Sequence, residues 1–501
     1  MKRAVVIGSG FGGISAAAFL ARDGFDVTVL EKNAWVGGRA RSLEEQGYRF
    51  DMGPSWYWMP EEHDRWFTQF GVRREDYYRI HRVDPAYRAY FGESTPGETE
   101  TVVDMPADIT EARKVFERYQ AGGAGNLDRY LADCRRKYEF AMGEFIYKNY
   151  YSITDFINGA AIRNLPLLNI TRSYGGRVKQ FFRHPYLRKM LEFPVVFLGS
   201  DPRSTPAMYT LMNHIDFNLG TWYPDGGFTT VVKAMQQVAE GNGARFLFGH
   251  EVTATTITNA SVRSVVARTD AGEEVSFPAD VVVANADYPW VETHLLPEEY
   301  RSIAPPRWDR AKLAPAVLNF YLGFDRKLDE FAHHTFFFDA DWDDHFDAVY
   351  TNPRWIDRPL FYLHVPSRTD RSCAPETGEA VFLLVPIAPG LEDTPERRAY
   401  YLEHALDRIR DRTGKDLREN LVYKAEMSIN DFVRDYNAYK GNGFGLGHTL
   451  FQTAWFRTPN KSKKLRNLYY AGQFTVPGTG TTMSMISGEV AAMRIRKEGA
   501  A

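Results

Sequence analysis

The first apolar run of the chain, Val5-Val6-Ile7, is short and continuous and ends in Gly8-Ser9-Gly10-Phe11-Gly12-Gly13. A run of this kind followed by glycines predicts a strand buried on both faces, a tight turn and a helix. The next run, Asp26-Val27-Thr28-Val29-Leu30, reads as a second strand closing on Glu31. Far downstream the pattern resumes. Tyr223-Pro224-Asp225-Gly226-Gly227 leads into a helix over 228–240, then strands over 244–248, 251–257, 261–269 and 274–278, then a buried strand over 280–286. A glycine-rich stretch over 470–480 precedes a closing helix from Thr481 to about Arg496, whose small residues permit close packing. Between these pieces, residues 76–222 are mostly helical in pattern, with helices expected over 112–120, 126–144 and 177–191. Residues 301–439 mix strands over 317–324, 335–339 and 380–386 with a helix over 395–413.

The opening strand, turn and helix carry a dinucleotide chemistry. Gly8 permits the turn, Gly10 lets backbone approach a pyrophosphate, Gly12 lies in the same loop, and Gly13 lets helix pack on strand. The pyrophosphate then sits on the helix N-terminus, and Glu31, 18 positions past Gly13 with Lys32 beside it, is placed to accept ribose hydroxyls. Gly37-Gly38-Arg39 brings backbone and a guanidinium to the phosphates. The returning chain end points to FAD rather than NAD, because the isoalloxazine is a second large end that must be held and tuned. A helix beginning near Thr481 and Thr482 would set its positive end against the pyrimidine edge of that ring. Ser55 and Trp56, just past Gly53-Pro54, are expected to line the flavin pocket, while Asp51 fixes its own turn. Backbone at Val252 would meet adenine, and Asn285, Gly472, Gly480, Thr482 and Met483 complete the expected cofactor set.

Composition narrows the class. The 501 residues are 44% hydrophobic and nearly charge-balanced, 61 basic against 64 acidic, which gives no electrostatic case for nucleic acid. Two cysteines, Cys134 and Cys373, make no disulfide framework and suit a reduced cytosolic compartment. No histidine or cysteine cluster has metal-ligand spacing, so no metal is expected. The opening apolar run ends at Ile7 and continues as a nucleotide fold, so no cleaved signal is expected. No apolar stretch is long enough to span a bilayer. Aromatic content is 14%, clustered at Trp56-Tyr57-Trp58, Tyr147 with Tyr150-Tyr151, and Phe336-Phe337-Phe338; a long apolar substrate would need a tunnel lined this way.

The segment 366–376, Pro-Ser-Arg-Thr-Asp-Arg-Ser-Cys-Ala-Pro-Glu, followed by Leu383-Leu384-Val385-Pro386, resembles a signature of the bacterial-type carotenoid desaturases, the phytoene desaturase family. So do His333-His334-Thr335-Phe336-Phe337-Phe338, Phe197-Leu198-Gly199-Ser200-Asp201-Pro202, Tyr209-Thr210-Leu211-Met212 and Gly220 through Gly227, and so do both chain ends. Asp370-Arg371-Ser372 stands where the family usually has Asp-Pro-Ser, and Cys373 where an aliphatic residue is commoner; these departures bear on which carotenoid is taken. The resemblance implies an α/β fold: a discontinuous, Rossmann-like FAD-binding domain of the glutathione-reductase/amine-oxidase type with an inserted α+β substrate domain. The expected division is 1–75, 223–300 and 440–501 for the first, and 76–222 and 301–439 for the second.

It further implies an enzyme that removes hydrogen from adjacent saturated carbons of a linear carotenoid, with phytoene or a close derivative as the expected substrate, one hydrogen leaving as hydride to flavin N5 and the other as a proton. Because the allylic cation is delocalised and acidic, no strong base is required, and positioning and water exclusion are the main work. No catalytic residue is assigned. Asp225 is a candidate proton acceptor, although an aspartate at that place also caps the helix after it. His214 and Asp216 are candidates because they share a face if the chain there is extended. Arg177, Lys179, Arg183, Arg188 and Lys189 interleave with Phe181, Phe182 and Tyr186, a pattern Pro185 interrupts; it suits either a solvated helix face over buried aromatics or a helix lying on an anionic membrane. The expected setting is cytoplasmic and peripheral to the cytoplasmic membrane, with oxygen or a quinone as electron acceptor and oligomeric state open. Alternatives are a redox-neutral carotenoid isomerase, a desaturase of hydroxylated or late carotenoids, an amine oxidase and, outside enzymes, a carotenoid- or flavin-binding protein.

Overall fold

The computed structural model describes residues 1–92, 101–152 and 165–499. Its first sheet is parallel and five-stranded, in the order Leu468–Tyr470, Val281–Ala284, Arg3–Ile7, Asp26–Leu30, Arg245–Leu247. The central register sets Val6 between Val283 and Val29. Alternation along Arg3–Ile7 builds two cores at once. Ala4 and Val6 pack toward the helices Phe11–Arg22, Phe228–Gly241 and Thr481–Lys497. Val5 and Ile7 pack toward the antiparallel strands His250–Thr258 and Ser261–Thr269, whose third partner is Glu274–Pro278. Covering both faces is what a parallel sheet requires, and each valine so buried contributes about 1.5–3 kcal/mol.

Close packing of the first and last helices is a small-residue contact. A Cβ at Gly488 would meet the Gly12 carbonyl and lie 2.7 Å from Ala16 N. A Cβ at Gly13 would run into the Gly8 carbonyl, so only glycine admits this approach of helix to strand. The C-terminal helix is thereby held against the opening motif, some 470 residues away in sequence.

A second, mixed sheet of seven strands runs Leu421–Met427, Ala316–Phe324, Glu379–Ile387, Phe361–His364, His334–Phe338, Tyr87–Phe91, Val102–Met105. Ala316–Phe324 is buried along its whole length. Its Leu318, Phe320 and Leu322 face Leu402, Leu406 and Ile409 of the helix Pro395–Thr413, and Val317 and Tyr321 face the opposite way, toward helices of the 101–222 region. Thr394 caps that helix through Arg397 N, and Gly414 ends it at φ 72°.

Most expected elements occur within a few residues of their predicted bounds. The helix expected over 177–191 does not: it is two short helices, Tyr174–Val178 and Pro185–Glu192. Pro185 lacks an N–H and bars the helical conformation before it, so it opens the second helix instead of continuing the first. The interleaved aromatics turn inward, with Phe182 1% and Tyr186 4% exposed, while Arg177 pairs with Asp133 at 3.0 Å. This segment therefore leaves only the half-buried Phe181 accessible to a membrane. No helix among the described residues is long and apolar enough to cross one.

Candidate functional site

A single cavity of about 790 Å³ runs between the two sheets. One arm is walled by backbone at Gly8, Gly10, Gly12, Gly38 and Gly472. The helices Phe11–Arg22 and Thr481–Lys497 both begin on this arm, after Gly10 and Gly480, and neither start carries a side-chain cap. Uncapped N–H groups at a helix start form a positive pole that a phosphate or an anionic ring edge satisfies. Asn285 ties the glycines together: a Cβ at Gly10 or Gly13 would lie 2.9 Å from its Oδ1, and one at Gly12 2.7 Å from its Nδ2.

At the far end of this arm Glu31 is 5% exposed and fixed by four donors: Ser9 N and Oγ on Oε2, each at 2.9 Å, and Asn33 N and Nδ2 on Oε1 at 3.0 and 3.1 Å. A ribose hydroxyl reaching this carboxylate would replace one of the two side-chain donors. Lys32 donates to Arg434 O at 2.7 Å and stands 3.7 Å from Glu251, and Val252 lies at a register shift that bares its backbone to the cavity. Arg39 donates to Asn442 O at 3.2 Å and faces Asp287 at 3.8 Å. Burial lowers the Arg39 guanidinium from its ordinary value and pushes the Asp287 carboxyl up to about 7. Among the described residues, neither Asp287 oxygen, both buried on the cavity wall, has a hydrogen-bond partner. Two uncapped helix starts, a glycine wall and an orphaned carboxylate beside a guanidinium fit a flavin dinucleotide.

The second arm is apolar. The sheet strands supply Val317, Phe336, Phe338, Leu384 and Pro386, and the helical region supplies Met142, Phe193, Phe197, Met212 and Ile215. Alternation explains the strand contribution, since Phe336 and Phe338 face the cavity and Phe337 the other core. The arms meet at Ser55, Trp56 and Trp58. Here Ser55 Oγ and Tyr362 OH lie 3.0 Å apart, and the Tyr362 hydroxyl is 2.6 Å from His334 Nδ1. Behind them His364 Nε2 and His333 Nε2 are 3.1 Å apart, and Thr369 Oγ1 is 2.7 Å from His333 Nδ1. Burial drives these three imidazoles well below their ordinary range, to about 3 for His333, so all three are neutral at physiological pH.

Of the expected cofactor residues, Gly8, Gly10, Gly12, Glu31, Lys32, Gly38, Arg39, Ser55, Trp56, Val252, Asn285, Gly472, Gly480, Thr482 and Met483 all line the cavity, and Gly13 lies one layer behind. The three candidate proton acceptors do not line it. Asp225 is on the surface, its side chain 48% exposed and hydrogen-bonded to His81 Nε2 at 2.7 Å. His214 and Asp216 are not on an extended segment; they fall at the junction of two helical turns, Leu211–His214 and Ile215–Leu219. His214 binds Asn218 at 3.1 Å. Asp216 accepts from Thr221 Oγ1 at 3.4 Å, and Thr221 in turn receives Trp58 Nε1 at 2.9 Å, so Asp216 sits behind the cavity wall.

Asp287 and Tyr362 are the residues that sequence reasoning missed. Asp287 could have been found from its place just past the buried strand that carries Asn285. Tyr362 meets His334 through strand register and Ser55 through a loop of the opening region, which no local pattern displays.

Fold and cavity define a two-sheet flavoprotein of the amine-oxidase type. Residues 11–496 match the family described as flavin containing amine oxidoreductase. An oxidoreductase from Methanosarcina mazei superposes with a TM-score of 0.61 over 99% of this chain and 100% of that one at 15% identity, and a putrescine oxidase bound to putrescine with 0.60 over 99% of each at 13%. Among relatives, a carotenoid 3,4-desaturase of Haloarcula japonica is 40% identical over 97% of this chain and 96% of its own length. A zeta-carotene-forming phytoene desaturase of Myxococcus xanthus is 30% identical over 99% and 94%, and a 4,4'-diapolycopene oxygenase of Methylomonas sp is 30% identical over 98% and 97%. The chain belongs to the flavin-containing amine oxidoreductase family, on its carotenoid desaturase branch. It is an FAD-dependent oxidoreductase.

Proposed function

We propose that this protein desaturates a linear carotenoid, and that its substrate is a late, already conjugated one rather than phytoene. One observation carries the substrate class: the charged side chains on the cavity wall stay with the cofactor arm. Lys32 faces Glu251, Arg39 faces Asp287, and Asn33 Nδ2 reaches the Asp435 carbonyl at 3.1 Å. Among the described residues the apolar arm offers an amine cation no carboxylate, but it suits an uncharged chain. The preference for a late carotenoid rests on the stronger similarity to a 3,4-desaturase, 40% against 30% for the phytoene enzyme.

Bound FAD supplies the hydride acceptor. The glycine wall, the two helix starts and Arg39 would hold its phosphates and ring, with Glu31 and Val252 at the adenosine end. Ser55, Trp56 and Trp58 would set the reacting carbons against the ring. Phe336, Phe338, Phe197 and Leu384 would exclude water, which keeps an electron-deficient carbon from being trapped. Among the described residues the apolar arm carries no carboxylate; the Ser55 and Tyr362 hydroxyls at its mouth are neutral and would only pass a proton on, toward the His334 imidazole that Tyr362 meets at 2.6 Å. On this reading residues 1–75, 223–300 and 440–501 form the FAD-binding domain, and 76–222 and 301–439 the substrate domain. An apolar substrate of this length supports work at the cytoplasmic face of a membrane, with oxygen or a quinone as final acceptor.

The test mixes FAD-loaded protein anaerobically with either phytoene or a coloured or hydroxylated carotenoid, dispersed in detergent. Flavin bleaching with a matching red shift of the coloured carotenoid, and none with phytoene, is expected. Bleaching by phytoene would overturn the late-substrate reading. A shifted carotenoid spectrum without bleaching would mark an isomerase, and no change with either would overturn desaturation.

A further inference from the structure

We infer that the segment His448–Arg457, with the basic rim Arg307, Arg310 and Lys312, is the surface by which this protein docks on an anionic lipid bilayer and takes its substrate from it. The inference rests on the carotenoid reading above and adds the place of contact. Phe451 is 74% exposed, Leu450 39% and Phe456 42%, and the two phenyl rings lie 6.0 Å apart. Leu450 and Phe456, with Thr453 and Ala454 between them, also line the cavity. The apolar arm therefore reaches solvent through this patch, and an apolar chain leaving a bilayer here would stay in contact with apolar side chains throughout.

The exposure is enforced by the fold. Lys312 N donates to Gln452 Oε1 at 2.8 Å, and Gln452 Nε2 donates back to Lys312 O at 2.8 Å and to Gly447 O at 3.1 Å. The Thr453 and Tyr209 hydroxyls are hydrogen-bonded. Arg457, 3% exposed, donates to Gln452 O at 3.2 Å, Leu446 O at 3.2 Å and Thr475 O at 3.0 Å, which stitches the segment to the loop before the last helix. A loop so pinned cannot fold its phenylalanines back into the core. The hydrophobic cost of leaving them in water points to a lipid surface that covers them.

Charge selects an anionic one. Arg307, Arg310 and Lys312 are exposed on the stretch that carries Gln452's partner, and none has an acidic partner among the described residues. Asp309, lying between them, is already held by Lys440 and Tyr439, at 3.0 and 2.7 Å. Exposed aromatics on a loop bonded to a stretch of exposed cations are what interfacial binding to anionic lipid uses.

The experiment uses the FAD-loaded full chain and vesicles of phosphatidylcholine with or without phosphatidylglycerol. Cys134 and Cys373 are buried, so Phe451→Cys gives one accessible thiol for an environment-sensitive dye. Its emission is expected to shift blue on phosphatidylglycerol vesicles. Phe451→Ser, and separately Arg310→Glu with Lys312→Glu, should lower co-sedimentation at least about tenfold while flavin bleaching by detergent-dispersed carotenoid stays at the wild-type level. Unshifted emission, or undiminished binding by these variants, would overturn the inference. So would a wild-type dimer that Phe451→Ser dissociates, because the patch would then bury a second copy of this chain. Loss of carotenoid-driven bleaching in wild-type protein would instead sink the functional reading, whatever the vesicles show.

Discussion

The His334 imidazole lies flat on the Trp56 indole, ring centroids 3.9 Å apart and planes within 12°. Tyr362 provides His334 with its hydrogen bond, and His334 Nε2 is already buried without a partner. Tyr362→Phe strands the second nitrogen as well, at a cost of about 1–3 kcal/mol, whereas Ser55→Ala leaves the Tyr362–His334 bond in place and costs less than about 1 kcal/mol. Thermal unfolding of the two FAD-loaded variants should rank them in that order; equal losses would show that the bond to His334 carries no stability.

The glycines of the opening motif differ in what an added methyl would meet. At Gly10 it meets only the Asn285 side chain, at 2.9 Å; at Gly13 it meets the Gly8 carbonyl, which cannot yield. Gly10→Ala should therefore fold and lose FAD affinity, visible as free flavin after gel filtration. Gly13→Ala should fail to give a folded, flavin-bound protein at all.

Asp216 gives a pH-dependent prediction. Burial pushes its carboxyl from 3.8 up to about 7, so the native state holds a proton that the unfolded chain releases near pH 4. A raised acid stabilises fully below the unfolded value and loses that contribution as pH climbs through the folded one. Asp216→Asn should thus gain on wild type as pH rises from 4 to 8, by on the order of a few kcal/mol in total. Melting curves at pH 5 and pH 8.5 check this, and a pH-independent difference would refute it.

Leu384→Trp places an indole in the apolar arm, on a strand that supplies none of the glycine wall. Flavin content and spectrum should be unchanged while anaerobic bleaching by carotenoid falls at least about tenfold. Loss of flavin instead would mean that the two arms are not separable.

The cofactor arm was legible because its chemistry is local: a strand, a turn and a helix start lie within a dozen residues, and an acid ends the next strand. The chain by itself also determined the parallel strands, through fully apolar runs such as Val281–Ala284, and the helix Pro395–Thr413, through its cap and its terminal glycine. Where a single proline outweighed periodicity, at Pro185, the one helix expected over 177–191 split in two.

Tertiary structure decided the rest. Asp225, plausible as a base from its turn, is removed from the cavity by its pairing with His81, and Asp216 is set behind Trp58. Tyr362 and His334 meet across two paired strands while Ser55 reaches them from a loop near the start of the chain, and the exposed Phe451 is held outward by Arg457 and Gln452. Local sequence fixes backbone preference and the faces of each element, since both depend on near neighbours. Which faces close around a cavity, and which apolar side chains are left in water, depends on contacts hundreds of residues apart, and only the folded chain sets those.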